Sequence, residues 1–430
     1  MRSKTVLGER SPFPRLAALL LLSAGLMLAS CQEAQQDRNQ AAQPGVSPPF
    51  AASATPAATA TPAPQPSPYS LEATLIAVGD IMMHSRETQA GYDAATKTYN
   101  FTHFFAKVKD ELAKGDWVTG NLETPLADHD PRGYTGYPEF NAPPELADAL
   151  KDAGFNVITT ANNHSLDRRE YGILRTIANL RARGLVEKGV AASPEDAEQS
   201  VIVSKNGISM AFLAYTYGTN GIPIPKGKPY LVPLIDEEKM KADIAREKRN
   251  GADLVTVAVH FGDEYHLQPN DLQKKLAHEL FLSGADIILG SHPHVVQPYE
   301  LLNATDAAGR KRTGVVIYSL GNFISDQDRT NALHAPTDTG VIFAVHVRKM
   351  MPENITEITG VEYKPTYVQR YRENGKLQFR VLPMEAALAY KDDPYLQAKD
   401  LARLNRYLRE MNEQISAIER GRSLFSPANK

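Results

Sequence analysis

The sequence from residue 71 onward predicts an α/β fold built on a layered sheet. Apolar runs rich in β-branched residues alternate with amphipathic segments of helical periodicity, which is typical of strands that alternate with helices. Glycines such as Gly115, Gly154 and Gly284 follow the helical segments directly, and glycine commonly ends a helix in this way. Polar residues also follow several of the apolar runs, at the predicted strand ends.

The alternation predicts five helices, followed by a change of pattern near the C-terminus. The helices are expected at Thr102 to Lys114, Pro144 to Ala153, Glu170 to Arg183, Asp236 to Asn250 and Asp271 to Ser283. Near residue 347 the alternation ends, and VEYKPTYVQRY and KLQFRVLP predict a small β extension. We therefore expect a main domain at 71–348, a β extension at 349–390, and a terminal helix and tail at 391–430.

Six apolar runs end in His, Asp, Asn or Glu residues. They are TLIAVGDIMMH (74–84), WVTGNLETP (117–125), VITTANNHSLD (157–167), LVTVAVHFGDEY (254–265), IILGSHPH (287–294) and VVIYSLGNF (315–323). In an open α/β sheet, ligands bind outside the carboxyl ends of the strands, so these six ends are expected to converge on one site.

Residues 1–70 predict export and a tether. Basic residues, an apolar stretch from Leu16 to Leu28 and small residues make 1–30 a secretory signal. The ending Leu-Ala-Ser-Cys resembles a bacterial lipobox, which implies that Cys31 is lipidated and anchors the protein to a membrane outside the cytoplasm. The alternative is an uncleaved anchor helix with an incidental cysteine. Residues 31–70, rich in Pro, Ala and Thr, are expected to be a disordered tether.

Composition excludes some classes of function. The chain has 430 residues, 42% hydrophobic and 23% charged, and a formal net charge of −3, so charge gives no reason to expect a nucleic-acid partner. Because Cys31 is the only cysteine, no intramolecular disulfide can form.

The polar residues at the strand ends are of the types that bind metal ions. Asp80 offers a carboxylate oxygen, Asn163 an amide oxygen, and His260, His292 and His294 offer imidazole nitrogens. Each of them alone is more often a turn, cap or core residue. Five of the eleven histidines, however, lie close to predicted strand ends, and together they predict a metal centre.

The motifs GDIMMH, GNLETP, TANNHSLD, HFGDEY, GSHPHVVQP and YSLGNF, in this order, resemble the motif series of the CapA family of poly-γ-glutamate capsule biosynthesis proteins. The match spans about residues 72–345. That family is similar to the calcineurin-like metallophosphoesterases. The resemblance implies a four-layer α-β-β-α sandwich, here with the small C-terminal β extension and the terminal helix.

The resemblance also implies a divalent metal site of one or two ions, and mixed carboxylate, amide and imidazole donors suit manganese, iron or zinc. It assigns as metal ligands Asp80, Glu123, Asn163, His260, His292 and His294. It assigns His164 as the catalytic proton donor. Two positions depart from the metallophosphoesterase pattern, because Met82 stands where a ligand histidine is expected and Asn121 where a bridging aspartate is expected. Further candidates for a metal or a substrate are His84, Asn121 and Asn162.

A third group of residues is predicted to support the site or to contact substrate. Tyr215, Tyr217 and Asn220 offer stacking surface and hydrogen bonds for a polymer, or are core and turn residues. Asp263 and Glu264 are expected to orient His260 through a carboxylate. Asn322 is either part of the site or a turn cap.

Two functional hypotheses follow from these motifs. The first is an envelope lipoprotein that hydrolyses a linkage in an anionic extracellular polymer or its precursor during capsule, poly-γ-glutamate or exopolysaccharide production. The second is a non-catalytic subunit that binds the polymer or a membrane-embedded capsule synthase or exporter. A solute-binding lipoprotein would explain export but leaves the clustered histidines unexplained.

Overall fold

The computed structural model describes residues 67–305, 309, 311–390 and 393–423, with side chains described as far as residue 415. The predicted signal, Cys31 and the tether up to residue 66 lie outside the described residues. None of the helices in the described part of the chain is both long enough and apolar enough to span a bilayer.

Sixteen strands form in the described residues. In chain order they are β1 (Tyr69–Ile81), β2 (Tyr92–Asp93), β3 (Thr98–Tyr99), β4 (Trp117–Leu122), β5 (Val157–Thr159), β6 (Val186–Lys188), β7 (Ile202–Lys205), β8 (Ile208–Thr216), β9 (Leu254–His260), β10 (Ile287–Ser291), β11 (Val296–Thr305), β12 (Lys311–Leu320), β13 (Asn322–Ile324), β14 (Thr339–Met351), β15 (Ile355–Glu373) and β16 (Lys376–Pro383).

Ten α-helices and one 3₁₀ turn, at Pro229–Leu231, connect these strands in the described residues. The helices are α1 (Ser85–Gly91), α2 (Thr102–Phe105), α3 (Lys109–Leu112), α4 (Glu145–Ala153), α5 (Arg169–Ala182), α6 (Pro194–Glu198), α7 (Glu237–Arg249), α8 (Asp271–Leu282), α9 (Met384–Leu388) and α10 (Ala398–Ser423). Four of the five predicted helices appear close to their expected bounds, and the first is divided into α2 and α3.

Two large sheets carry most of the strands. The first has the order β16-β15-β14-β1-β4-β5-β6, with β13 beside β1, and the second has the order β11-β12-β10-β9-β8-β7. Strands β1, β4, β5 and β6 are parallel, as are β8, β9, β10 and β12. Antiparallel strands continue each sheet toward its edges.

Successive residues on a strand of the first sheet pack into different layers, because the side chains of a strand alternate between its two faces. Leu75 and Ala77 of β1 join the core between the sheets, together with Phe212 of β8. Ile76 and Val78 face the other way, into a second core that includes α2, α3 and α4. Burying each such large side chain contributes about 1.5–3 kcal/mol.

The second sheet repeats this arrangement. Leu254 of β9 lies in the core between the sheets. Its neighbours Val255 and Val257 pack outward against Ile244 of α7 and Leu280 of α8. The result is a helix–sheet–sheet–helix sandwich, which confirms the predicted four-layer fold.

The C-terminal region is part of this sandwich. Strands β14, β15 and β16 extend the first sheet, and the boundary predicted at residue 348 falls inside β14. The terminal helix forms as α10, and its residues Leu404, Tyr407 and Met411 join the core between the sheets. A strand with one buried face shows the same alternation of apolar and polar residues in a separate hairpin as at the edge of a larger sheet. The sequence pattern therefore did not distinguish a separate β extension from added edge strands.

Candidate metal centre

The carboxyl ends of the parallel strands of both sheets lie on one rim of the sandwich. His260 ends β9 in the second sheet, and its Nε2 lies 2.7 Å from Oδ1 of Asn163, which follows β5 in the first sheet. His294, after β10, has its Nδ1 3.2 Å from Oδ2 of Asp80 on β1. These contacts between sheets bring the predicted metal-binding residues into one buried cluster.

Two glycines permit the close approach of the chains beneath this cluster. A Cβ atom on Gly79 would lie 1.8 Å from the carbonyl oxygen of Gly321, and one on Gly290 would lie 2.0 Å from that of Tyr318. No real Cβ tolerates such distances from backbone atoms. The glycines in GDIMMH and GSHPH therefore set the spacing that puts Asp80 and His292 at the rim.

Two groups of metal-binding atoms share the Glu123 carboxylate. One group combines Asp80, Glu123 and His260, and the other combines Glu123, His292 and His294. Within each group the potential ligand atoms lie within 4.8 Å of one another. Glu123 therefore occupies the central position between two candidate ion sites.

Unpartnered buried atoms indicate that this cluster fits a divalent cation. Both carboxylate oxygens of Glu123, a fully buried residue, lack a hydrogen-bond partner in the described chain, as does Nδ1 of His292. Burial, reinforced by the nearby carboxylates of Asp80 and Glu264, raises the pKa of Glu123 well above its usual value. A cation between these atoms would remove the cost of burying them unpaired.

His260 has the protonation expected of a metal ligand. Its Nδ1 lies 2.8 Å from the hydroxyl oxygen of Ser291. Burial, together with His294 and His164, lowers its pKa well below the usual value, so its imidazole is neutral at physiological pH. Burial also lowers the pKa of His292 well below its usual value. Neutral imidazole is the form that binds metal ions.

His294 is oriented by two oxygen atoms. Its Nδ1 lies 3.2 Å from Asp80 Oδ2 and 3.0 Å from Asn322 Oδ1, and its Nε2 lies 3.9 Å from Glu123 Oε1. Burial acts to lower its pKa, but the hydrogen bond and charge of Asp80 outweigh burial and raise it. A hydrogen on Nδ1 leaves Nε2 as the ligand atom, a common arrangement in metal-binding histidines.

The backbone at this rim is strained. His292 has φ of 98° and His294 has φ of 57°, and both lie in the left-handed region that favours glycine. Such conformations cost on the order of 1–3 kcal/mol each and cluster at functional sites. Here they turn both rings of the His-Pro-His segment toward the cluster.

His164 lies beside the metal-binding cluster and is held by Asp167. Its Nδ1 is 2.7 Å from Asp167 Oδ2, which also accepts a hydrogen bond from the backbone N–H of Phe140. The Phe140 ring packs edge-on against the imidazole, with ring centroids 4.6 Å apart. No role was predicted for Asp167, although a carboxylate three residues after the histidine in NHSLD was the available signal.

The two other asparagines hold the cluster from the first sheet. Asn121 Nδ2 donates to Asp80 Oδ1 at 2.8 Å, and its Oδ1 accepts from Asn162 Nδ2 at 3.2 Å. Asn162 also donates to the carbonyl oxygen of Leu122. Their amides are thus engaged with protein groups and orient Asp80.

The remaining predicted residues divide into two sets. Asn220 accepts from Asn163 at 3.1 Å, and the Tyr217 ring lies 4.5 Å from the His292 ring, so both adjoin the cluster. Tyr215 is not brought there, because the alternation of β8 turns it outward, where it donates to Asp243. Asp263 is exposed and accepts from Asn270, away from His260.

A cavity of about 790 Å³ opens beside the cluster. Its walls include Asn163, His164 and His294, and also His84, Tyr137 and Asp326. Glu264 also lines it. No lysine or arginine is present among the described residues that line it. Its volume lies within the range of ligand-binding pockets, about 300–1,000 Å³.

Comparison with known sequences identifies the family. The profile described as "Bacterial capsule synthesis protein PGA_cap" matches residues 74–327, more than half of the chain. The chain belongs to this family. Within it, the chain is 31% identical over 321 residues to the PGA biosynthesis protein CapA of Bacillus subtilis (strain 168), covering 73% of this chain and 78% of that one.

A second capsule protein gives the same assignment. The chain is 31% identical over 299 residues to the capsule biosynthesis protein CapA of Bacillus anthracis, covering 66% of this chain and 68% of that one. The PGA_cap member therefore belongs with proteins of capsule and poly-glutamate biosynthesis, as its motifs predicted.

Solved structures resemble the chain more distantly. A calcineurin-like phosphoesterase YfkN from Bacillus subtilis aligns with TM-score 0.39 and 14% identity over 69% of this chain and 91% of its own. The NAD nucleotidase of Haemophilus influenzae aligns with TM-score 0.42 and 12% identity over 80% of this chain and 68% of its own. The four-layer fold is established by the strand order itself.

Proposed function

We propose that this PGA_cap protein is a metal-dependent hydrolase of the cell envelope that cleaves a phosphoester, amide or γ-glutamyl linkage during capsule or poly-γ-glutamate production. The observation that carries the proposal is the buried Glu123 carboxylate, which has no hydrogen-bond partner in the described chain and is shared by two groups of ligand atoms. A carboxylate without a catalytic or structural ion at this place would destabilise the fold.

The ligand set favours a transition metal. Asp80, Glu123 and Asn163 offer oxygen, and His260, His292 and His294 offer nitrogen, a mixture that suits manganese, iron or zinc better than calcium. When bound, such an ion acts as a Lewis acid on the oxygen atoms of the linkage that is attacked.

The chain's own residues supply the proton transfer. When both of its ring nitrogens carry a proton, His164 donates Nδ1–H to Asp167 and can deliver the Nε2 proton to the leaving group. The Asp167 carboxylate orients the ring and stabilises its charged form, and Phe140 packs edge-on against it. The cavity beside His164 is where the substrate would lie.

The envelope location belongs to the same proposal. Cys31 would carry the lipid anchor, residues 32–68 would span the distance to the folded part, and the substrate would be an anionic polymer or its precursor near a synthase or exporter in the membrane. The names of the Bacillus relatives support a role beside polymer synthesis. Replacing Cys31→Ser should release the protein from membranes, and unchanged membrane association would contradict the anchor.

A non-catalytic subunit is the second candidate function. Met82 and Asn121 favour it, because neither offers the ligand atom that a metallophosphoesterase has at that position, and the Asn121 amide instead donates to Asp80. In this alternative the same cavity binds polymer or a synthase without turnover.

The test uses the full chain purified with its bound metals. Metal content is measured first, and then hydrolysis of bis(p-nitrophenyl) phosphate, γ-glutamyl p-nitroanilide and γ-linked glutamate oligomers. We expect turnover that chelation abolishes, and a His164→Ala variant that keeps its metal but loses turnover. The exposed His278→Ala serves as the control. A metal-loaded protein without hydrolysis on the whole panel would favour the subunit.

A further inference from the structure

His84 lies in the cavity wall, outside both groups of metal-binding atoms. We propose that His84, positioned by Glu87, is a substrate-recognition residue whose Nε2–H donates a hydrogen bond to an anionic oxygen of the substrate. The inference rests on the proposed function, since it assigns the cavity beside the metal centre to the substrate.

The contacts of Nδ1 determine which edge of the ring is free. The side chain of His84 is 18% exposed, and its Nδ1 lies 3.4 Å from Glu87 Oε2 and 3.3 Å from the backbone nitrogen of Asp326. Both partners are thus on the Nδ1 side of the ring. In the described chain Nε2 has no hydrogen-bond partner and is not a buried atom, so it is left for the cavity.

The same contacts make Nε2 a donor in either protonation state. In the neutral ring, Nδ1 accepts the backbone N–H of Asp326, so the hydrogen resides on Nε2. In the charged ring, Nδ1–H is directed at Glu87, and Nε2 again carries a hydrogen. His84 therefore presents an N–H to the cavity whenever this geometry holds.

Packing fixes the ring in place. His84 meets Phe140 edge-on, with centroids 5.0 Å apart and planes at 89°. Phe140 also meets His164 edge-on, with centroids 4.6 Å apart and planes at 87°. Each histidine has a carboxylate three residues later in the chain, Glu87 or Asp167. One aromatic ring thus sets two imidazoles in the wall of a single cavity.

The distribution of charged residues around the cavity is the reason to assign a binding role to the Nε2–H of His84. No lysine or arginine is among the described lining residues. Asp326 is paired with Arg86 at 2.6 Å and with Arg370 at 2.8 Å, so these cations are already committed. His164 and His294 serve the proton transfer and the metal cluster. Of the three imidazoles that line the cavity, that of His84 is therefore the one left to bind an anionic oxygen remote from the metal.

The chemistry recognised is an oxyanion, and two sources carry it. A γ-linked glutamate chain has one carboxylate per residue, and a phosphorylated precursor has phosphoryl oxygens. A hydrogen bond to a charged group contributes enough that its loss weakens binding by about 10-fold or more.

The experiment measures binding by calorimetry to the full chain loaded with manganese. The probes are inorganic phosphate and a γ-linked glutamate trimer. The variants are His84→Leu, His84→Gln, whose amide can place a donor near Nε2, and the exposed control His278→Leu. Manganese content and melting temperature are recorded for each protein.

We expect His84→Leu to weaken binding of at least one probe about 10-fold, with unchanged manganese content, while His84→Gln and His278→Leu stay within about 3-fold of wild type. The probe that is affected identifies the source of the oxyanion. The proposal would be overturned if His84→Leu binds both probes as tightly as wild type does. It would also be overturned if the manganese-loaded wild type binds neither probe.

Two further outcomes separate this inference from the proposed function. Loss of manganese in His84→Leu would assign His84 to the metal centre and overturn the inference alone. A wild type that retains no manganese would overturn the proposed hydrolase. If that metal-free wild type still binds a probe and His84→Leu does not, the recognition role is supported nevertheless.

Discussion

The two sheets contribute different chemistry to the candidate metal centre. Asp80, Glu123 and Asn163 lie at or just after strand ends of the first sheet and offer oxygen atoms, whereas His260, His292 and His294 lie at or just after strand ends of the second and offer nitrogen. Each candidate group combines donors from both sheets. Neither sheet alone can therefore hold an ion, and metal binding reports directly on the packing of the sandwich.

The two halves also differ in how their side chains are held. The first-sheet carboxylate of Asp80 is oriented by a chain of amide hydrogen bonds through Asn121 and Asn162. The second-sheet histidines His292 and His294 lie on left-handed backbone, and His294 is held in addition by oxygen atoms of Asp80 and Asn322. Metal binding should therefore be sensitive to side-chain substitutions around the oxygen ligands of the first sheet. Around the nitrogen ligands of the second sheet it should be more sensitive to changes in the backbone of the His-Pro-His turn.

The largest effect is expected from Glu123→Gln. The substitution removes the one carboxylate that both groups share, so bound metal should fall to near zero and turnover on the hydrolysis panel by more than about 10⁴-fold. Element analysis of the purified full chain measures this loss. Glu264→Gln, in the cavity wall but in neither group, is the matched control and should keep its metal.

Single-group variants sharpen the same comparison. His260→Ala and His292→Ala each affect one group only, so each should lose about half of the metal that wild type holds. Full metal loading of Glu123→Gln would contradict the central position of this carboxylate.

The second prediction separates proton transfer from metal binding. Asp167→Asn removes the negative charge that stabilises the protonated ring of His164, so turnover should fall by about 10²- to 10⁴-fold while metal content stays unchanged. Asp263→Asn, an exposed change of the same kind, is the control. Wild-type turnover in Asp167→Asn would show that His164 is not the proton donor.

The smallest expected effect is on stability, and it concerns a buried carboxyl group that supports the first-sheet side of the candidate metal centre. Glu187 on β6 accepts from Thr160 at 2.6 Å, and the Thr160 carbonyl in turn accepts from Ser165 beside Asn162. Burial raises the pKa of Glu187 from 4.5 to about 7, against the hydrogen bond from Thr160 and the charge of Arg181. The folded protein therefore holds this proton more tightly than the unfolded chain does.

Stability should consequently fall as the pH rises from about 4.5 to about 7 and then level off, by up to about 3 kcal/mol from this group. Glu187→Gln should lose this component and gain stability relative to wild type above pH 7. Denaturant unfolding across pH 4–8 measures the difference, with the exposed Glu357→Gln as control. Identical pH profiles for wild type and Glu187→Gln would contradict the buried, protonated state.

Much of the fold and the ligand set could be predicted because both depend on local patterns. Apolar runs that end in polar residues place Asp80, Asn163 and His260 at strand ends, and parallel strands bring those ends to one rim. Contacts that depend on how the two sheets and their loops face each other could not be predicted. The hydrogen bond from Asn163 to Asn220, which joins loops of the two sheets, is of this kind. The support of His260 by Ser291 depends instead on the register of β9 and β10, and that of His164 by Asp167 is a local contact whose signal was present in the sequence.

Side-chain direction accounts for the residues that were not brought to the site. Tyr215 lies only two residues before Tyr217, but it is within β8, and strand alternation sends it to the outer helices. Asp263 follows His260 closely, yet the turn points it at Asn270. Proximity in sequence to a strand end was therefore not sufficient.

Anomalous diffraction from crystals of the full chain, recorded at the absorption edge of the metal found by element analysis, tests the central claim most directly. The proposed centre predicts one peak among Asp80, Glu123 and His260, a second among Glu123, His292 and His294, and loss of both in Glu123→Gln. Peaks remote from Glu123, or none in wild-type crystals grown with manganese, iron or zinc, would contradict it.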